Sequence, residues 1–270
     1  MVYYYSACGN SRHVAESIAS ANNEQLLSIA DIGNSHHSFV PKEGEALGLV
    51  FPTYSWRVPQ IVSRFISRLR IEGRPSYLYM VTTYGDNAGI ADRLFRRQLA
   101  TVGLSLDAAF GIAMPNTYVN LSFMDIDSPE LAQKKLDAAE QQISVVARQI
   151  ASRTRTVDIC RGSFPWLKSV VIGGLFVRMT SDHAYYATDS CIACGRCAEV
   201  CPLHNITVAT PSFSTQSEKT LCQTKLNSPR PQWHGNCNHC EACYHHCPTH
   251  AIQYGKATRG KGQYYFGKRN

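Results

Sequence analysis

Acidic residues are scarce in the second part of this chain. Residues 151–270 hold 6 Asp and Glu against 14 Lys and Arg, whereas residues 1–150 hold 14 against 13. The formal net charge of +7 therefore belongs to the C-terminal part. Long apolar runs are missing as well. The longest uncharged one, SVVIGGLFV at 169–177, falls far short of the roughly 20 residues that cross a bilayer, so no integral membrane segment is expected. No basic-then-apolar leader precedes a cleavage site, which makes a cytoplasmic location the expectation. No G-x-G-x-x-G follows a strand pattern, so direct nicotinamide binding is not supported. No dedicated acid–base pair stands out either.

Cysteine is abundant, with eleven in 270 residues. Cys8, Cys160 and Cys222 stand alone, and the other eight form two runs. A chain of this length with clustered thiols reads as metal- or redox-cluster binding rather than as a disulfide scaffold. A basic half invites a nucleic-acid partner, and the end of the chain, GKATRGKGQYYFGKRN at 255–270, mixes basic and aromatic residues. Nothing else marks a base-reading fold, so no nucleic acid is expected and the tail should pack on the cysteine-rich part. Metal-bound thiolates are anions that the formal count ignores. Much of the positive surplus then reads as counter-charge.

The first 150 residues alternate. Val2–Tyr5, Leu26–Ile29, Ala46–Phe51, Tyr77–Thr82 and Ala108–Met114 read as strands, mostly continuous apolar runs suited to a sheet covered on both faces. Arg12–Ala21, Pro59–Leu69, Ala88–Val102 and Ser128–Ser152 read as helices, the last opened by Ser128 before Pro129. This alternation predicts an α/β fold: a doubly wound, five-stranded parallel sheet in the flavodoxin-like order 2-1-3-4-5. The pattern stops near residue 152. The expected division is an α/β domain over 1–152, a connector over 153–180 and a small α+β domain over 181–270. The apolar stretch Phe164–Val177 is expected to dock the two domains together, with a membrane surface as its rival.

CIACGRCAEVCP at 191–202 and CNHCEACYHHCP at 237–248 share C-x2-C-x2-C-x3-C-P. Three cysteines two apart place three sulfurs around one tight loop, and the fourth ligand of a cubane must come from elsewhere. Structural zinc is the rival, but it favours C-x2-C pairs across a longer loop. The spacing resembles that of bacterial two-cluster ferredoxins, in which the fourth cysteine of each run serves the other cluster. That resemblance implies two [4Fe-4S] clusters. Cys191, Cys194, Cys197 and Cys247 would hold the first, and Cys237, Cys240, Cys243 and Cys201 the second. Pro202 and Pro248 turn the chain away from them. Small neighbours such as Ala193, Gly195 and Ala242 leave backbone N–H groups for the sulfides. Cys222, between the runs, reads as a bystander, and the seven histidines after residue 180 as solvated or cluster-tuning.

In a sheet of this order, ligands bind outside the carboxyl ends of the strands. Three loops leave that edge. The first, Ser6-Ala7-Cys8-Gly9-Asn10-Ser11, opens a helix with small residues and hydroxyls, as an anion nest does. The second runs from Pro52 through Thr53, Tyr54, Ser55 and Trp56 to Pro59, and the third from Thr82 through Thr83, Tyr84, Gly85 and Asp86 to Gly89. A phosphate nest with two aromatic-bearing loops suits a planar ring with a phosphate tail. The chain resembles flavodoxin–ferredoxin fusions of anaerobic microbes over nearly its whole length. Their first loop is similar to S-G-T-G-N-T-R; here it is Ser6 to Arg12, with Cys8 where the family often has Thr. The resemblance implies FMN, its phosphate on loop one and its ring flanked by loops two and three. Tyr54, Trp56 and Tyr84 are then the stacking candidates.

Low-molecular-weight phosphatases share the sheet order and carry a catalytic Cys on this loop, but five residues separate it from their Arg. Here Arg12 follows Cys8 after three, which starts a helix instead of closing a cradle. Placement at a helix start predicts a lowered Cys8 pKa and an oxidisable thiol. The function expected is electron transfer between FMN, two clusters and a redox partner protein. The rival is a ferredoxin-type carrier whose flavodoxin-like domain docks a partner and binds no flavin.

Overall fold

The computed structural model describes residues 1–208 and 229–267; Cys222 lies outside them. In chain order the first part runs β1 (Val2–Tyr4), α1 (Asn10–Ala21), β2 (Leu26–Ser28), α2 (Ile29–Ile32), β3 (His37–Phe39), β4 (Ala46–Pro52), α3 (Gln60–Arg68), β5 (Leu69–Ile71), β6 (Tyr77–Tyr84), α4 (Ala91–Thr101), β7 (Ala108–Ala113), α5 (Pro129–Ala151) and β8 (Val157–Asp158).

The central sheet has six strands, not five, in the order β2-β1-β4-β6-β7-β8, with every pair parallel. The added strand is β8, two residues at the edge beside Ala109 and Phe110. Sequence pattern alone does not mark so short a strand. A separate parallel pair, β3 with β5, lies outside the sheet.

Alternation along the strands builds two layers. Tyr3, Leu47, Leu49, Phe51, Leu78 and Met80 face α3 and α4 through Val62, Phe65, Phe95 and Leu99. Val2, Val50, Tyr79, Val81, Phe110 and Ile112 face α1 and α5 through Val14, Ile18, Ile143 and Val146. Ser128 caps α5 by accepting from Leu131 N at 3.2 Å, and Pro129 occupies the first turn, where a missing N–H costs nothing.

Past β8, in the stretch expected as a connector, the chain forms helix. A π-helical segment, Leu167–Ile172, runs into α6 (Gly173–Met179). This segment is anchored by Arg161, whose guanidinium grips the buried Asp92 carboxylate of α4 with two parallel bonds of 2.7 and 2.8 Å. The cysteine-rich part then adds β9 (Tyr185–Ala187), α7 (Arg196–Glu199), β10 (Ile206–Val208), β11 (Pro231–Trp233), α8 (Ala242–His245) and β12 (Ile252–Tyr254). β9 pairs antiparallel with β12, and β10 with β11. These short elements bury a small cluster that includes Tyr185, Tyr244 and Ile252 together with Cys197, Cys243 and Cys247.

Breaking the buried Arg161–Asp92 pair leaves a carboxylate without its partner, which costs about 3 kcal/mol. Arg161→Met is therefore expected to lower the thermal midpoint by roughly 6 °C or more. A midpoint within a degree of the parent protein, measured by circular dichroism, would remove this pair from the account.

Candidate functional site

Both cysteine runs coil in the same way. Ala193 and Gly195 in the first take left-handed backbone angles (φ +54 and +78), as do His239 and Glu241 in the second (φ +48 and +60). His204 and His250 repeat the pattern after the runs (φ +49 and +54). Asn205 N donates to Cys201 Sγ at 3.3 Å, and its counterpart Ala251 N donates to Cys247 Sγ at 3.2 Å. Each pair of equivalent residues is separated by the same number of positions, so the sequence repeat is also a conformational one.

The eight thiols sort into two sets. One cavity, enclosing about 300 Å³ of space between atoms and open to solvent, is bounded by Cys191, Cys194, Cys197 and Cys247. A second, of about 330 Å³, is bounded by Cys201, Cys237, Cys240 and Cys243. Three sulfurs of each set come from one run and the fourth from the other. His239 N also donates to Cys237 Sγ at 3.3 Å. Trp233, stacked on Tyr185, lines the second cavity, and its buried indole N–H has no hydrogen-bond partner among the described residues. Soft thiolate donors, N–H groups aimed at sulfur and a spare buried donor fit an iron–sulfur cluster. Burial pushes the Cys197 thiol up to about 11 and those of Cys237 and Cys240 up to about 12. Irons bound as thiolate complexes offset that desolvation.

The 4Fe-4S binding domain family matches residues 184–207, which contain the whole first run. This is an iron–sulfur segment. No curated protein matches the chain. Among solved structures, a putative flavoprotein from Bacteroides uniformis is 16% identical, with a TM-score of 0.35 over 42% of this chain and 88% of its own. The Trp repressor binding protein from Bacillus subtilis is 13% identical, with a TM-score of 0.34 over 55% of this chain and 96% of its own. Likenesses this slight leave the fold resting on its own strand order.

The iron–sulfur segment packs against the carboxyl edge of the α/β sheet. Cys8 of loop one is 6% exposed, and its thiol lies 3.8 Å from the carbonyl of Cys240, a wall of the second cavity. Burial, with Cys240 and Glu241 close by, raises the Cys8 pKa well above its ordinary value. The expectation of a lowered Cys8 pKa is thus overturned, because the side chain is buried against the second cysteine run. The tail packs here too. Phe266 N donates to Cys8 O at 2.8 Å, Tyr264 Oη donates to Asn10 Oδ1 at 2.9 Å, and Phe266 stacks on His13. A Cβ on Gly9, at φ +90, would stand 2.8 Å from Phe266 Cβ, so only glycine suits that position.

The remaining loop residues gather along the same edge. Ser6 Oγ accepts from Gly9 N at 3.1 Å, which leaves its own hydroxyl proton to donate. Ala7 O lies 3.4 Å from His246 Nε2. Ser11 and Thr83 share a hydroxyl bond of 2.7 Å, and Thr53 N donates to Thr83 O at 2.9 Å. As the first helical residues, Asn10 and Ser11 have no intrahelical partner for their N–H groups. Such a loop has the chemistry of an anion cradle built from backbone donors and Ser6.

Loop two is a tight turn. Tyr54 and Arg57 exchange two backbone bonds of 3.0 Å around Ser55 and Trp56, whose φ angles are +50 and +58. This is the backbone of a two-residue turn that Asn-Gly would ordinarily supply, held here by a serine and a tryptophan. Trp56 and Tyr54 stay partly exposed. Tyr84 does not: its ring is buried against Gly111, which removes it from the stacking candidates. Gly89 is also buried, behind Trp56 and Ser169, while Asp86 is exposed and Gly85 packs on Asn116.

Tyr5 is a site residue that motif reasoning passes over. Its hydroxyl accepts from Tyr54 at 3.3 Å and from Asn238, within the second cysteine run, at 3.3 Å. Its place at the carboxyl end of the first strand, directly before loop one, is the signal that points to it.

Ser55→Gly is expected to raise stability by about 1 kcal/mol, since it removes a Cβ from a left-handed residue. A thermal midpoint that rises by roughly 2–4 °C supports that account. A fall would mean that the Ser55 side chain holds the turn.

Proposed function

We propose that this protein transfers electrons between FMN, held on the three loops of the α/β sheet, and two [4Fe-4S] clusters, which pass them to a redox partner protein. When bound, FMN supplies one- or two-electron chemistry and each cluster carries one electron. Loop one would hold the phosphate through its backbone donors and Ser6. Tyr54 and Trp56 would flank the ring, and backbone groups from Thr83 to Asp86 would meet its polar edge.

The observation that carries this reading is the hydrogen-bonded series Tyr54–Tyr5–Asn238. It joins a ring-flanking residue of loop two to the wall of the second cavity. The contact of the Cys8 thiol with the Cys240 carbonyl joins loop one to the same wall. The order of the centres follows. The set containing Cys240 is the flavin's neighbour. The set containing Cys194, which is exposed beside Ile192 at 62%, faces the outside partner. Cys8 in place of threonine suits this arrangement, because the thiol meets Cys240 and not the phosphate cradle.

Anaerobic purification with cofactor analysis separates this reading from the flavin-free carrier. About one FMN and about eight irons per chain are expected. Eight irons without flavin, even after incubation with FMN, would establish the carrier. Crossed ligation is tested by pairs of variants. Cys194→Ala and Cys247→Ala should each keep about four irons and show the same residual electron paramagnetic resonance signal. Cys201→Ala should match Cys237→Ala. Tyr5→Phe removes the acceptor that holds Asn238 in the wall of the second cavity and is expected to shift one cluster's potential by about 50 mV, leaving the other unchanged. Equal shifts in both would break the assigned order.

A further inference from the structure

The helical segment from Leu167 to Met179 carries an apolar face that the protein leaves uncovered. Leu167, Val171, Leu175 and Met179 recur every fourth residue, so they form one stripe along the segment, and all are 44–71% exposed. Phe164 and Trp166, 76% and 59% exposed, stand at its start. The packed side of this stretch is made by Ser169, Gly173 and the Phe176 ring, which stands edge-on to Tyr118 at 6.0 Å. Ser169 is fully buried; its carbonyl accepts from Arg57 at 2.7 Å and its hydroxyl accepts from Ile90 N at 2.9 Å. A Cβ on Gly173 would come within 2.3 Å of Ser55 O, so the segment is seated as closely as glycine permits. That seating fixes the apolar stripe outward.

Charge says what the stripe meets. No Asp or Glu occurs between Asp158 and Asp182, while Arg161, Lys168 and Arg178 do. Arg161 is committed to Asp92, but Arg178 is exposed and Lys168 lies over Trp56 at 5.8 Å from the ring centroid. A second copy packed face to face would set these cations against their equivalents with no acid to answer them. An anionic lipid surface offers both apolar depth and opposite charge. The 13 residues from Leu167 to Met179 span about 20 Å as helix, less than the roughly 30 Å of hydrocarbon, so the segment would lie along the interface and not cross it. Trp166 is the residue type that favours the headgroup level. We propose that this face is a docking surface for anionic phospholipid bilayers, which brings loop two and its neighbouring centres to the membrane.

The test is co-sedimentation of the cofactor-loaded full chain with two kinds of vesicle, phosphatidylcholine alone and phosphatidylcholine mixed with phosphatidylglycerol. Binding to the mixed vesicles should exceed binding to the neutral ones by about tenfold at low salt and fall as salt is added. Val171→Glu/Leu175→Glu should abolish sedimentation while leaving the cluster absorbance intact. Arg178→Glu, which leaves the apolar stripe in place, should reduce binding to the mixed vesicles and leave the neutral ones unaffected. Equal binding to both vesicle types overturns the proposal, as does failure to sediment with either. Light scattering that finds a dimer, converted to monomer by the double variant, would assign the stripe to a second copy and overturn it as well.

Discussion

One buried carboxylate fixes how the iron–sulfur segment meets the sheet. Glu241 sits within the second cysteine run, 2% exposed, and receives Val119 N at 3.0 Å and Asn120 N at 3.2 Å from the loop after β7. Its backbone is left-handed at φ +60, at the position where the first run has Gly195. Replacing glycine by glutamate there costs conformational energy, and the two backbone bonds to a distant loop offset it. Burial raises the Glu241 pKa. His245, 3.7 Å away, and the two backbone donors pull it the other way. The His245 Nδ1 accepts from Tyr264 N and its Nε2 donates to Thr117 O at 2.6 Å, so the ring links the tail to the loop after β7.

The rest of the contact depends on this clamp. With Glu241 held on loop 119–120, its chain neighbour Cys240 is brought to Tyr5 and Cys8, and the second set of thiols meets the edge of the sheet where ligands bind. Lys261 strengthens the same loop by donating to the carbonyls of Val119, Leu121 and Met124. Part of the positive surplus is therefore spent on capping backbone carbonyls. Arg230 does likewise, bonding Ala187 O at 2.5 Å as well as Asp189.

Legibility in the sequence followed the length over which a pattern repeats. The five expected strands, two of them only three residues long, and the four longer helices announce themselves by alternating apolar runs and periodic faces, and their edges shift by only a few residues. Three thiols of each set follow from spacing, since C-x2-C-x2-C gathers three sulfurs around one tight loop, whereas the crossed fourth follows only from the resemblance to two-cluster ferredoxins. What stayed hidden was short or contextual. β8 has two residues, and β3 and β5 have three each. The burial of Cys8 was invisible because its partner, Cys240, lies 232 residues away. A thiol at a helix start is acidic only where water or a cation reaches it, and here neither does. The segment from Phe164 to Val177 reads as apolar either way. Only the seating of Ser169 and Gly173 decides which side is buried.

The two cavities then differ in a way that composition cannot express. The set containing Cys240 and Cys243 is walled by Tyr185, Trp233, Asn238 and Glu241. The set containing Cys194 opens beside Ile192, Arg196 and Thr249. Backbone N–H groups reach sulfur in both sets, those of Asn205 and His239 in the inner one and that of Ala251 in the outer one. The difference between the cavities therefore lies in their walls and not in these donors. Only the inner wall is tied to the first strand, through Asn238 donating to Tyr5, so a change in how the sheet edge seats the second run would alter the surroundings of the inner thiols first.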